Sequence, residues 1–244
     1  MTGTPTDQPR ADGPKLSAGP ASIARVAFRA IASVIRPAAS APPNAPNPAE
    51  PDVTSPDTRR EIRLPPGQVR AKKWPVLHAG ATPKVDLDRW TFRIDGLVDH
   101  PATRTWAEFA ALPRSRVFAD MHCVTRWSLL DNTWEGVRVR DLIAGVGLHP
   151  DASFAVVHGL DGYTTNLPLA DLLGDDCLIA LGRNGQPLTP EHGWPARVIV
   201  PRLYAWKGAK WANRIEILAI DRPGFWEVNG YHNHGDPWAQ ERFS

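Results

Sequence analysis

The sequence predicts a single α+β domain of mixed β-sheets with short helices, preceded by a disordered N-terminal tail. Three observations point there. Apolar residues make up 42% and charged residues 22% of 244, the balance of a chain that buries a core. Strand-like and helix-like segments follow one another irregularly and without an internal repeat. Prolines crowd the first 60 residues and thin out afterwards.

Residues 1–60 are rich in Ala, Ser, Thr, Asp and Pro. Such a composition buries too little apolar surface to offset the entropy of ordering. The tail is therefore expected at residues 1–60 and the folded domain at 61–244. Within the tail, Ile23, Val26, Ile31, Val34 and Ile35 mix with Arg25, Arg29 and Arg36. That pattern suits a short cationic amphipathic helix over residues 22–36, a candidate for docking on a membrane surface or a partner. The arginines break it up too often for a span, which needs ~20 apolar residues. Arg59-Arg60 is followed by Glu61 and Arg63 instead of an apolar run, so export is not expected. A cytoplasmic location, with membrane association through the tail, is the expectation.

The domain's elements follow in order. Trp90, Phe92 and Ile94 alternate with polar residues as a half-buried strand, and Asp95-Gly96 closes it. Thr105-Trp106-Ala107-Glu108 has the form of a capping box and opens a short helix that ends before Pro113. Val117, Ala119 and Met121 form a strand that runs into His122-Cys123 and a loop, Cys123 to Ser128. Val139 to Leu148 reads as a strand end and a helix, Phe154 to Val157 as a strand, and Leu169 to Leu173 as a short helix. Cys177 to Leu181 is an apolar strand closed by the Asn184-Gly185 turn. Arg197 to Val200 and Arg214 to Ile220 are the last strands.

Composition also narrows the chemistry. A net charge of +2 carries no nucleic-acid footprint. Two cysteines, Cys123 and Cys177, cannot build a disulfide framework or hold an iron–sulfur cluster. Cys123 leaves a strand into a polar loop near Arg126, a setting that favours the thiolate, the form that binds soft metals or attacks electrophiles. A buried structural cysteine is the competing reading. Cys177, inside an apolar run, reads as core. Lys207, Gly208, Ala209 and Lys210 form a basic loop able to cradle a phosphate, although it lacks the P-loop spacing. A solvated basic loop remains the plainer alternative. His122, Cys123, His232 and His234 offer zinc donors without a paired Cys-x2-Cys. A cysteine hydrolase would need His158, His192 or His232 beside Cys123.

Five segments, in order, resemble the molybdopterin-dependent oxidoreductases of the sulfite oxidase family, closest to their bacterial sulfite oxidase-like branch. They are Trp74–Gly80, Asp120–Ser128, His192–Arg197, Lys207–Trp211 and Gly224–Asn233. The resemblance implies the family's molybdopterin-binding fold, a molybdenum–molybdopterin cofactor and two-electron oxygen-atom transfer on a small S-oxide, N-oxide or sulfite-like substrate. It implies that Cys123 ligates the metal and that His78, His192, Arg197 and the loop Lys207, Gly208, Ala209 and Lys210 hold the pterin and its phosphate. Arg126 and His122 are then candidates to make the catalytic pocket electropositive. With no haem, flavin or cluster motif in the chain, the electron carrier is expected to be a separate protein. A non-catalytic binding protein on the same fold, and a zinc or thiol hydrolase, are the alternatives.

Overall fold

A computed structural model describes residues 50–244, so the proposed helix at 22–36 lies outside the described residues. The first strand, β1 (Val53–Thr54), begins ahead of the expected boundary at residue 61. It pairs in parallel with β5 (Ser115–His122), and the Ser55 hydroxyl, buried behind it, donates to Asp176 at 2.7 Å. Tail-like composition had concealed this short pairing, since two residues carry no periodicity.

The strands form two sheets. The larger runs β1, β5, β6 (Trp127–Arg138), β9 (Leu178–Arg183) and β10 (Gln186–Pro187). β2 (Val69–Arg70) adds to β6, and β11 (Arg197–Ile199) adds to β9. The smaller runs β4 (Ala102–Thr105), β3 (Thr91–Gly96), β12 (Ala212–Leu218), β7 (Phe154–Gly159) and β8 (Thr164–Pro168). Among the described residues four short α-helices accompany them: α1 (Trp106–Ala110), α2 (Val139–Ala144), α3 (Leu169–Leu172) and α4 (Phe225–Val228).

Local sequence explains these choices. The capping box at Thr105 and Glu108 forms as expected and starts α1, which buries Phe109 against Trp90 and Phe92. β9 reads as an apolar run because both its faces are covered. Ile179 and Leu181 join the core shared with the smaller sheet, while Leu178 and Ala180 join a second core on the opposite face, beside Trp134. Two assignments shift. Trp127 and Ser128 are the start of β6, not loop, so the Cys123 turn spans the four residues before Trp127. β4 and β8 were not legible: both are threonine-rich and lack an apolar stripe, β4 because it is half-exposed and β8 because its buried positions include Thr165 and Asn166.

Candidate active site

The β5–β6 hairpin places Cys123 at its tip. The turn closes through Cys123 N–H donating to Trp127 O (2.8 Å) and Arg126 N–H donating to Cys123 O (3.0 Å). Arg126 takes φ +71°, a left-handed backbone that costs an ordinary residue about 1 kcal/mol or more. The Cys123 thiol is free and 8% exposed. It packs with Val124, Tyr204 and Trp206, with Trp127, Trp226 and Tyr231 against that cluster.

The sequence suggested a thiolate favoured by Arg126. Instead, burial pushes the Cys123 thiol up; a Thr125 hydrogen bond (Sγ to Oγ1, 3.1 Å) and the charges of Arg242 and Lys210 oppose it. Arg126 is exposed, and its guanidinium makes no hydrogen bond or ion pair among the described residues. His122 does not supply positive charge. It is 1% exposed, shares a hydrogen bond with Ser128 Oγ through Nδ1 (2.8 Å), and burial pushes it down to about 4. Its ring meets the edge of Trp238, and Nε2 has no partner among the described residues.

A second cluster gathers residues from four separate segments. The Trp74 ring stacks on His192 at 3.9 Å, with the guanidinium groups of Arg183 and Arg197 over it at 5.1 and 5.3 Å. Arg197, at 3% exposure, donates to the carbonyls of His192 and Gly208, both at 3.1 Å, while its Nε has no partner among the described residues. Lys210 donates to the Glu191 carbonyl (2.6 Å). His78 donates to the Gly80 carbonyl and turns its ring edge to Trp211.

These cations spend their donors on carbonyls instead of carboxylates, so burial works against their charge. Arg197 is pushed down to about 10 by burial. Lys210 falls to about 7 through burial and the Arg197 charge, and His192 to about 4 through burial and the Lys210 charge. Burial and the Lys210 charge also push His78 down.

Backbone geometry sets the cluster. Gly193 has φ +110°, and a Cβ there would sit 3.0 Å from Arg197 Cβ and 3.2 Å from Lys210 Cβ. Gly208 lies against β11, where a Cβ would meet the Val198 carbonyl at 2.5 Å. Two of the loop's amides are spent within it, Lys207 N–H on Tyr204 O and Gly208 N–H on Ala205 O, whereas those of Ala209 and Lys210 have no backbone partner among the described residues. Ala209 is buried, and its carbonyl accepts from Val198 N–H.

Lys207 departs most from expectation. It is fully buried and pairs with Glu227 at 2.6 Å, donating also to the carbonyls of Asn166 and Asn233. Its charge therefore braces the loop from inside, whereas Lys210 stands with Arg197. The zinc reading loses its ligand set, since among the described residues no three His, Cys, Asp or Glu side chains converge as metal ligands. Sequence reasoning missed Arg183, Tyr204 and Arg242. Arg183 directly precedes the legible Asn184-Gly185 turn, whereas nothing local marks Arg242.

The oxidoreductase molybdopterin binding domain family matches residues 79–226. The uncharacterized oxidoreductase YuiH of Bacillus subtilis is 46% identical over 75% of this chain and 92% of its own. Mitochondrial sulfite oxidase of Drosophila melanogaster is 33% identical over 40% of this chain and 19% of its own, so the matched region is a small part of that protein. The sulfane dehydrogenase SoxCD of Paracoccus pantotrophus has a similar fold, with a TM-score of 0.54 at 23% identity, covering 59% of this chain and 42% of that one.

Proposed function

This chain belongs to the oxidoreductase molybdopterin binding domain family, among the sulfite oxidase-like molybdenum oxidoreductases, and on that premise we propose that Cys123 ligates the metal and that the enzyme transfers an oxygen atom to or from a small S-oxide, N-oxide or sulfite-like substrate. The observation that carries the reading is the pair of buried Arg197 and half-buried Lys210, which have no carboxylate partner among the described residues and lie within electrostatic reach of Cys123.

Those residues fit the cofactor. Keeping Arg197, Lys210 and His192 together costs the cofactor-free protein solvation, which an anionic phosphate offsets. When bound, molybdopterin supplies the metal that performs the two-electron redox chemistry. The chain does the rest. Arg197, His192, Lys210 and His78 hold the pterin and its phosphate, and Trp74 walls the cradle. Lys207, Gly208 and Ala209 shape that cradle from behind. Cys123 Sγ gives up its proton to become a soft thiolate ligand, with the Arg242 and Lys210 charges lowering the cost. Tyr204, Trp206 and Val124 keep water from the sulfur. Arg126 presents beside the turn a cation with no partner among the described residues, able to attract an oxyanion or an S-oxide dipole. Electrons pass to or from a separate carrier.

Metal analysis tests the assignment. Cys123→Ser, expressed beside wild type in a host that makes the cofactor, should lose turnover and most of its molybdenum. Full activity with wild-type metal content would overturn it. Screening loaded protein against S-oxides, N-oxides and sulfite then identifies the substrate class.

A further inference from the structure

Arg242 sits near the carboxyl end of the chain, yet it is only 6% exposed. Its Nη1 donates to the Val124 carbonyl at 2.7 Å and its Nη2 to the Pro66 carbonyl at 3.3 Å. The guanidinium carbon lies 5.0 Å over the Tyr204 ring. One planar cation thus joins the residue after Cys123, the segment leading into β2 and an aromatic wall of the Cys123 cluster.

The two segments this cation bridges are also joined directly. Gln68 donates through Nε2 to the Cys123 carbonyl at 3.0 Å, and Val69 N–H donates to the Arg126 carbonyl at 2.9 Å. Arg242 itself is seated by the terminal segment. His232 N–H donates to Arg242 O, Tyr231 bridges Phe243, and His234 binds Glu241 at 2.8 Å and Asp171 at 3.0 Å. A hydrogen bond from a charged donor is stronger than a neutral one, and a planar fork holds two acceptors at a fixed angle.

We propose that Arg242 is a positioning residue for the redox site: by bridging the Val124 and Pro66 carbonyls across the Tyr204 ring, it fixes the strained turn that aims the Cys123 sulfur. Its importance for turnover rests on the reading of Cys123 as the metal ligand. Its effect on the turn does not.

The two cysteines make the test internal. Cys123 reports on the turn, and Cys177, fully buried beside α3, reports on global loosening. The full chain, made without cofactor in a host unable to synthesise the pterin, is treated with iodoacetamide under native conditions, and each cysteine is followed by peptide mass analysis. In Arg242→Met, Cys123 should be alkylated roughly tenfold faster than in wild type, with Cys177 unchanged. Arg242→Lys, which keeps the charge but loses the planar fork that fixes the angle between two acceptors, should fall between. It decides alone if the Met variant does not fold. Unchanged alkylation of Cys123, or a parallel rise at both cysteines, overturns the proposal. In the cofactor-making host, Arg242→Met should also retain less molybdenum per chain, with partial rescue by Lys. Wild-type metal content in Cys123→Ser would sink the ligand reading instead, leaving the alkylation result standing.

Discussion

At the scale of single residues, the cradle is a set of charges held against their preference. Lys210 shows it most clearly. In the folded, cofactor-free protein its ammonium titrates at about 7, while the unfolded chain keeps that proton to the ordinary value of 10.5. Between those values the unfolded state binds more protons, so stability rises as pH rises from 7 to 10.5, and below 7 this contribution is constant. Thermal melts of cofactor-free wild type and Lys210→Met should show the wild type gaining a few degrees on the variant between pH 7 and 9.5. Equal pH slopes would show that Lys210 is not depressed. Because an anion favours the charged form, phosphate or pterin binding above pH 7 should take up a proton, visible calorimetrically as a buffer-dependent heat.

At this scale the sequence was legible in kind but not in direction. Cys123 stood out as a thiol leaving a strand into a polar loop, and His192, Arg197 and Lys210 as an imidazole and cations in segments with turn glycines. The side each faces was hidden. Lys207 and Lys210 look equivalent in sequence, yet the helical turn at Ala205–Lys207 sends one inward to Glu227 and leaves the other beside Arg197. Arg242 reaches Val124 across 118 positions, a contact no local pattern encodes.

At the scale of elements, α4 is pinned to the loop before β12 by the buried Lys207–Glu227 pair, to which Thr165 and the Trp206 indole also donate. Removing one partner leaves an uncompensated charge. Glu227→Gln should therefore cost about 3–5 kcal/mol in denaturant unfolding, and Lys207→Met with Glu227→Leu distinctly less. The reverse order would mean that the pair is solvated. A methyl group at Gly208 must push β11 away from the loop, because the Val198 carbonyl lies 2.5 Å from where it would go. Gly208→Ala should lower molybdenum retention more than it lowers the melting temperature. The strands themselves were mostly readable, since the alternation in β3 and in the first part of β5 and the apolar runs in β7 and β9 follow directly from which faces are covered. β1 and β2 were not, because two-residue pairings borrow their stability from β5 and β6.

At the scale of the whole molecule, the pairing of β1 sets a limit on truncation. Deleting residues 1–49 should leave molybdenum content and melting temperature close to wild type. Deleting residues 1–60 removes β1 and the buried Ser55–Asp176 hydrogen bond, and should lower the melting temperature by several degrees. Equal behaviour of the two truncations would show that β1 contributes nothing. Among the described residues no helix is long and apolar enough to cross a membrane.

The sulfur and the cradle come from distant parts of the chain. Cys123 is delivered by the β5–β6 hairpin, which needs only neighbouring sequence to form, whereas Arg197 and Lys210 arrive with β11 and the approach to β12. The shared core that locks the sheets together contains residues from Trp90 to Ile217. If Cys123, Arg197 and Lys210 hold the cofactor as proposed, its capture follows closure of both sheets. A chain that stalls with the hairpin formed and the sheets apart displays a thiol but no grip for the phosphate. On the proposed assignment of the cradle, retained metal marks a finished fold, whereas a cofactor-free molecule can be finished or stalled.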